Sequence, residues 1–171
     1  FRGRNLDTIS SAELVSAHSS LWADVARMAY GSYMAELVDK MTGERERNDQ
    51  LYSLVAAAFD TLDSGALAPR VAALAFEIKF MAAAGFLPEL GQCVLCGAPA
   101  EQGVGFGPEA GGLVCGRCRP TLSDAVSFGP ASRETARLLL ALAHDRLGVL
   151  KPREDTLDEL EKAFRAYVDQ R

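Results

Sequence analysis

Histidine is almost absent from this chain: His18 and His144 are the only two in 171 residues. That scarcity counts against a catalytic zinc site, which keeps an open position and usually recruits histidine. Neither a glycine-rich phosphate cradle nor a G-x-S-x-G nucleophile elbow is present, so the usual marks of a nucleotide site or a hydrolase are missing. No apolar run approaches the roughly 18 residues of a membrane span, and no signal-peptide pattern opens the chain. A cytoplasmic protein without a membrane partner is therefore expected. Internal repeats and low-complexity stretches are also lacking. A net charge of −5 argues against the whole chain being a strong polyanion binder. No convergent set of catalytic groups stands out, and the chain reads as a non-enzyme.

The four cysteines that are present carry the clearest signal. They fall as Cys93-Val94-Leu95-Cys96 and Cys115-Gly116-Arg117-Cys118, with eighteen residues between the pairs. Two C-x-x-C pairs separated by roughly 15 to 20 residues have the spacing of a structural Zn²⁺ site. Each pair can form a knuckle that places two sulfurs about 2.3 Å from one ion, and two knuckles complete a tetrahedron. Gly97 and Gly116 are expected to permit the tight turns. Two disulfides would need an oxidising compartment, and a redox C-x-x-C would want a single active pair. One structural Zn²⁺ is favoured. Between the pairs, 103–106 and 112–114 read as short strands joined by a turn at 108–111, a zinc-ribbon hairpin.

The remaining sequence is helical in period, giving a mainly α fold: a helical bundle with an inserted small zinc-ribbon β-hairpin. Ser10 and Glu13 form a capping box for a short helix to Ala17. A long helix is expected from Ser19-Ser20 to Met41, with Trp22, Val25, Tyr33, Met34 and Leu37 on its apolar stripe. The charged stretch 44–47 reads as a solvated link. Asn48 is placed to cap a helix ending before Gly65, and Pro69 to open one that ends at Gly85. Beyond a turn-rich link at 127–130, Ser132 should cap a helix through Leu138, Leu139, Leu142 and Leu147. A second capping box, Thr156 with Glu159, should open the last helix, whose Leu157, Leu160, Phe164, Tyr167 and Val168 face inward. Glu36 and Glu77 read as helix-packing or surface groups, and both histidines as structural.

Charge is unevenly spread. From Cys115 to Arg153 there are seven basic residues against three acids, net +4, while 1–92 carries eight against twelve, net −4. Any nucleic-acid contact should therefore lie near the cysteines and the segment immediately after them. Arg117, Arg119, Arg133 and Arg137 are the candidate contacts, weighed against a solvated surface with local ion pairs.

Several of these residues, taken in order, resemble a family. Tyr33-x-x-Glu36-Leu37, Phe76-Glu77, Gly85-Phe86-Leu87-Pro88, Cys93-x-x-Cys96-Gly97 and Gly111-Gly112-Leu113-Val114-Cys115-x-x-Cys118 are similar to the bacterial DNA repair protein RecO. The opening Arg2 to Ile9 resembles that family's exit from an N-terminal OB domain. With Phe1 rather than Met in first place, a fragment lacking that domain is expected. The resulting division is 1–9 as the exit, 10–90 and 128–171 as helical bundle, and 91–127 as zinc-ribbon subdomain.

The resemblance implies a recombination mediator associated with the bacterial nucleoid. Such a protein binds single- and double-stranded DNA, mostly through the OB domain, and anneals strands. With RecR it helps RecA load on DNA coated with single-strand binding protein. This chain has Leu74-Ala75 where many members carry arginine, so the rim that would receive the tail of single-strand binding protein is assigned no residues. The alternative is a zinc-stabilised helical adaptor that binds protein and not DNA.

Overall fold

The computed structural model describes residues 9–43, 47–99 and 105–170. The sequence expectations for residues 1–8, 44–46, 103 and 104 lie outside these. Six α-helices run as α1 Ser19–Trp22, α2 Val25–Met41, α3 Asp49–Ser64, α4 Pro69–Ala83, α5 Pro130–Ala141 and α6 Glu154–Val168. Three short strands, β1 Gly105–Gly107, β2 Gly112–Val114 and β3 Val126–Ser127, lie between α4 and α5. The fold is mainly helical with one small antiparallel sheet, as the sequence patterns implied.

Helix α4 is the axis of the core. Pro69 occupies its first turn, where a missing N–H costs nothing. From Val71 to Met81 every residue except Lys79 is buried. Its alanines let α2, α3, α5 and α6 approach closely, while Phe76, Ile78, Phe80 and Met81 fill the space between them. Each large side chain so buried is worth about 1.5–3 kcal/mol. Gly85, with φ of 81°, ends the helix in the left-handed conformation that glycine adopts without penalty. Helix α3 begins as expected, the Asn48 side chain accepting from the Leu51 amide at 2.9 Å, and ends at left-handed Gly65.

Four helix expectations need correction. Residues 9–17 form no helix, and Ile9, Leu14 and Val15 stay exposed. A capping box cannot hold so short a helix when its apolar side docks on nothing among the described residues. The long helix is broken at Asp24, whose carboxylate caps the Arg27 amide at 2.9 Å and starts α2 afresh. Trp22 and Val25 consequently point outward, while Leu21 takes the buried place.

Helix α5 begins at Pro130 with Gly129 as its cap, not at Ser132, which lies inside the first turn and is buried. It stops at Leu142, and Leu147 reaches the core from a 3₁₀ turn over His144–Val149. The Lys79 ammonium serves the helix end by donating to the carbonyls of Leu140 at 2.8 Å and Leu142 at 2.6 Å.

Helix α6 starts at Glu154, so Thr156 is an interior, buried residue rather than its cap. Glu159, the other half of that expected box, instead accepts from Ser127 Oγ, the Gly129 amide and Ser132 Oγ at 2.8, 2.7 and 2.5 Å. It thereby ties the entry to α5 onto α6. Arg70 makes a second tie, pairing from α4 with Glu154, Asp158 and Glu161 at 2.6–2.8 Å. The inward face of α6 is the expected one, with Leu157, Leu160, Phe164 and Tyr167 buried and Val168 partly so.

The sheet has the order β2-β1-β3. Strand β1 pairs with β2 as Phe106↔Leu113 and with β3 as Phe106↔Val126. β3 occupies part of what read as a turn-rich link. Phe106 and Leu113 are fully buried in the same core as the helices. The Phe106 ring centroid lies 5.4 Å from that of Phe128, 6.0 Å from Phe164 and 5.9 Å from Tyr167. Aromatic contacts in this range add about 0.5–1.5 kcal/mol each beyond area burial. The sheet is thus attached to α6 by its apolar face, and the cysteines lie beyond it.

Candidate metal centre

The segment leading out of α4 runs alongside β2. The Leu113 amide donates to the Glu89 carbonyl at 2.9 Å, the Glu89 amide to Gly111 at 3.1 Å, and the Val94 amide to Leu113 at 2.9 Å. This close approach needs Gly112: a Cβ there would stand 2.5 Å from the Glu89 carbonyl oxygen. The pairing carries Cys93 and Cys96 to the end of β2, where the chain continues directly into Cys115.

The first knuckle closes with the Gly97 amide donating to the Cys93 carbonyl at 2.8 Å, Gly97 being left-handed at φ 70°. The second is built differently. Gly116 has no positive φ; the Cys118 and Arg119 amides donate to the Cys115 carbonyl at 3.0 and 2.8 Å. The chain then enters a 3₁₀ turn over Arg119–Thr121. The expected role for a glycine thus holds at Gly97 and not at Gly116.

These two turns bring all four sulfurs within 4.8 Å of one another, and no disulfide joins them. A tetrahedron with arms of about 2.3 Å has edges of about 3.8 Å, and Cys96 Sγ and Cys115 Sγ are 3.8 Å apart. Cys93 and Cys115 are buried, Cys118 partly so, and Cys96 faces solvent. Burial opposes ionisation at Cys93, but backbone amides and the neighbouring Cys96 outweigh it and pull its thiol down to about 6. Amide donation from Cys118 likewise lowers Cys115. Cys118 is pushed up to about 12, chiefly by its hydrogen bonds to the Cys115 and Cys96 sulfurs. Part of the cluster is therefore prepared as thiolate, and a bound cation would complete the rest. Four sulfurs at this spacing, with no histidine or open position, suit one tetrahedral ion in a structural role.

The candidate arginines occupy two places. Arg117 and Arg119 are exposed at the second knuckle, with the Arg119 stem lying against Gly105. Arg133 and Arg137 lie on α5 and share a groove with Leu87–Gly91 and Leu140. Arg137 pairs with Glu134 at 3.1 Å. Glu36 is a surface group bound to Lys40 at 2.6 Å, whereas Glu77 is deeply buried in α4. Tyr33 of α2 lies beside that Glu77 carboxyl at one small cavity, a juxtaposition of α2 and α4 that periodicity alone could not announce. None of the helices among the described residues is long and apolar enough to cross a membrane.

A helical bundle on one buried axial helix, carrying a four-cysteine metal-type cluster on a small sheet, is the class this architecture defines. Residues 23–171 match the family described as recombination protein O, C-terminal, and the chain belongs to that family. It is 34% identical over 171 residues to the DNA repair protein RecO of Symbiobacterium thermophilum, covering 98% of this chain and 68% of that protein. Against RecO of Listeria monocytogenes it is 29% identical over 170 residues, with 99% and 66% covered. Against RecO of Alkaliphilus metalliredigens it is 29% identical over 168 residues, with 98% and 68% covered. The chain spans about two thirds of the length of these relatives.

Proposed function

We propose that this chain is the metal-stabilised helical part of a recombination mediator acting beside the bacterial nucleoid. In this reading it engages DNA, contributes to strand annealing, and works with RecR to help RecA load on DNA coated with single-strand binding protein. Membership of the RecO family carries the proposal, because the relatives are DNA repair proteins and the match runs through nearly the whole chain. Cys93, Cys96, Cys115 and Cys118 hold one structural Zn²⁺, and residues 91–127 form the zinc-ribbon unit inserted between 10–90 and 128–171. The ion does no chemistry on a substrate; it fixes the turns from which Arg117 and Arg119 project. Those two, with Arg133 and Arg137, supply sequence-independent contacts to the DNA backbone.

The Arg137–Glu134 pair favours a second reading, a protein-binding adaptor without DNA contact, since a cation engaged within its own helix is less available to phosphate. Annealing of complementary oligonucleotides, followed by fluorescence, separates the two. The mediator reading expects this chain to accelerate annealing beyond the spontaneous rate, more so with RecR present. An unchanged rate in zinc-loaded, folded protein under both conditions would favour the adaptor.

A further inference from the structure

Two motifs singled out in the sequence, around Tyr33 and around Phe76-Glu77, meet in the core at a point the proposed function does not use. Glu77 is 4% exposed, and its Oε1 has no hydrogen-bond partner. Beside it lies a cavity of about 10 Å³, lined by Tyr30, Tyr33, Leu74, Glu161 and Arg165, with room for one water. Tyr33 and Arg165 also form a wall of a larger groove of about 410 Å³ that opens to solvent between α2 and α6 over Leu37, Met41 and Val168. The Arg165 guanidinium lies over the Tyr33 ring, 5.8 Å from its centroid. One thin partition thus separates a buried carboxyl from a surface groove.

The charges around the carboxyl are finely balanced. Helix α2 offers Tyr30 and Tyr33; α6 and its end offer Glu161, Arg165 and Asp169. Glu161 already pairs with Arg70 at 2.8 Å and accepts from Tyr30 at 3.3 Å. No cation forms an ion pair with Glu77 among the described residues. A carboxylate buried without one is costly, so the site favours the neutral acid. We infer that Glu77 is a proton-controlled latch: neutral, it closes α2 onto α4 and α6, and ionised, it draws water inward and loosens the Tyr33–Arg165 wall of the groove. Burial raises the group most, with Glu161 and Asp169 adding to it. Tyr33 and Arg165 oppose, and the carboxyl is pushed up to about 7, so the latch works near neutral pH.

The test is methyl NMR of this chain, following Leu37, Met41 and Val168 through a pH titration, with infrared spectroscopy reporting the protonated carboxyl. The latch predicts that these methyl shifts and one protonated-carboxyl band change together with a midpoint near 7, and that both transitions vanish in Glu77→Gln. Tyr33→Phe removes the neighbouring hydroxyl, which favours the ionised form, and should move the midpoint upward, which keeps the test available if Glu77→Gln does not fold. A methyl transition that survives in Glu77→Gln belongs to another group and overturns the latch. A carboxyl band lost with the ordinary carboxylates, or a Tyr33→Phe midpoint that stays or falls, overturns it equally.

Discussion

Replacing Cys115 by serine, or stripping the proposed Zn²⁺ with a chelator, should melt the β1–β2 hairpin even though its apolar face is anchored in the helical core. The anchor is Phe106 and Leu113, both fully buried. At about 1.5–3 kcal/mol for each buried side chain, they supply roughly 3–6 kcal/mol. Ordering the six residues of the two strands costs about 1–2 kcal/mol apiece, roughly 6–12 kcal/mol, before the connecting loop is counted. The anchor alone therefore falls short by roughly 3–6 kcal/mol, which is less than the roughly 10–16 kcal/mol that a structural zinc provides in small domains. Loss of the ion should also strip Phe128, Phe164 and Tyr167 of their neighbour Phe106, lowering the melting temperature while most helical signal persists. Amide hydrogen exchange read by NMR, with far-UV circular dichroism alongside, is the assay. Amides of Phe106, Leu113 and Val114 that stay as protected without metal as with it would refute this reasoning.

Gly112→Ala should damage the same region by a different route, since its Cβ would meet the Glu89 backbone at 2.5 Å; weakened exchange protection at Glu89 and Leu113 is the readout. Leu37→Ala, at a position 3% exposed, should cost about 2–5 kcal/mol in chemical denaturation. Partly buried Leu54 should cost less on the same substitution. Glu77 has a folded pKa raised from 4.5 to about 7, so its contribution is fully present below pH 4.5 and is lost as pH rises to about 7; Glu77→Gln should flatten stability across that window. Glu159 behaves oppositely. Burial raises it, but Ser132, the Gly129 amide and Ser127 outweigh that and hold it below 4.5, so its stabilisation is lost as acid protonates it, and Glu159→Gln should blunt acid unfolding.

The parts of the fold legible in the sequence were those in which local chemistry and tertiary packing agree. Asn48, Gly65, Pro69 and Gly85 mark α3 and α4 correctly because each acts through its own backbone neighbours. The capping boxes at Ser10 and Thr156 misled because a box is only an offer. Glu159 takes longer-range partners from α5 and its approach, and the apolar side chains Ile9, Leu14 and Val15 stay exposed among the described residues. Strand β3 is two residues long and exists only through pairing with β1, so no local pattern marks it. In the site, the cysteine spacing foretold the clustering of four sulfurs, because two C-x-x-C turns have few ways to be arranged around one point. It could not foretell that the second knuckle would leave Gly116 unstrained, or that Arg117 and Arg119 would sit apart from the groove holding Arg133 and Arg137.

The claim that this chain contacts the DNA backbone is tested most directly by the salt dependence of its binding to single-stranded DNA, measured for the zinc-loaded chain and for a variant with Arg117, Arg119, Arg133 and Arg137 changed to alanine. Each arginine that neutralises a phosphate should contribute about 0.7 to the slope of log affinity against log salt. The account predicts measurable binding by the chain, with a slope that becomes shallower in the quadruple variant by about 0.7 for every arginine engaged, on all sequences alike. Equal slopes in two folded proteins of equal zinc content would contradict it.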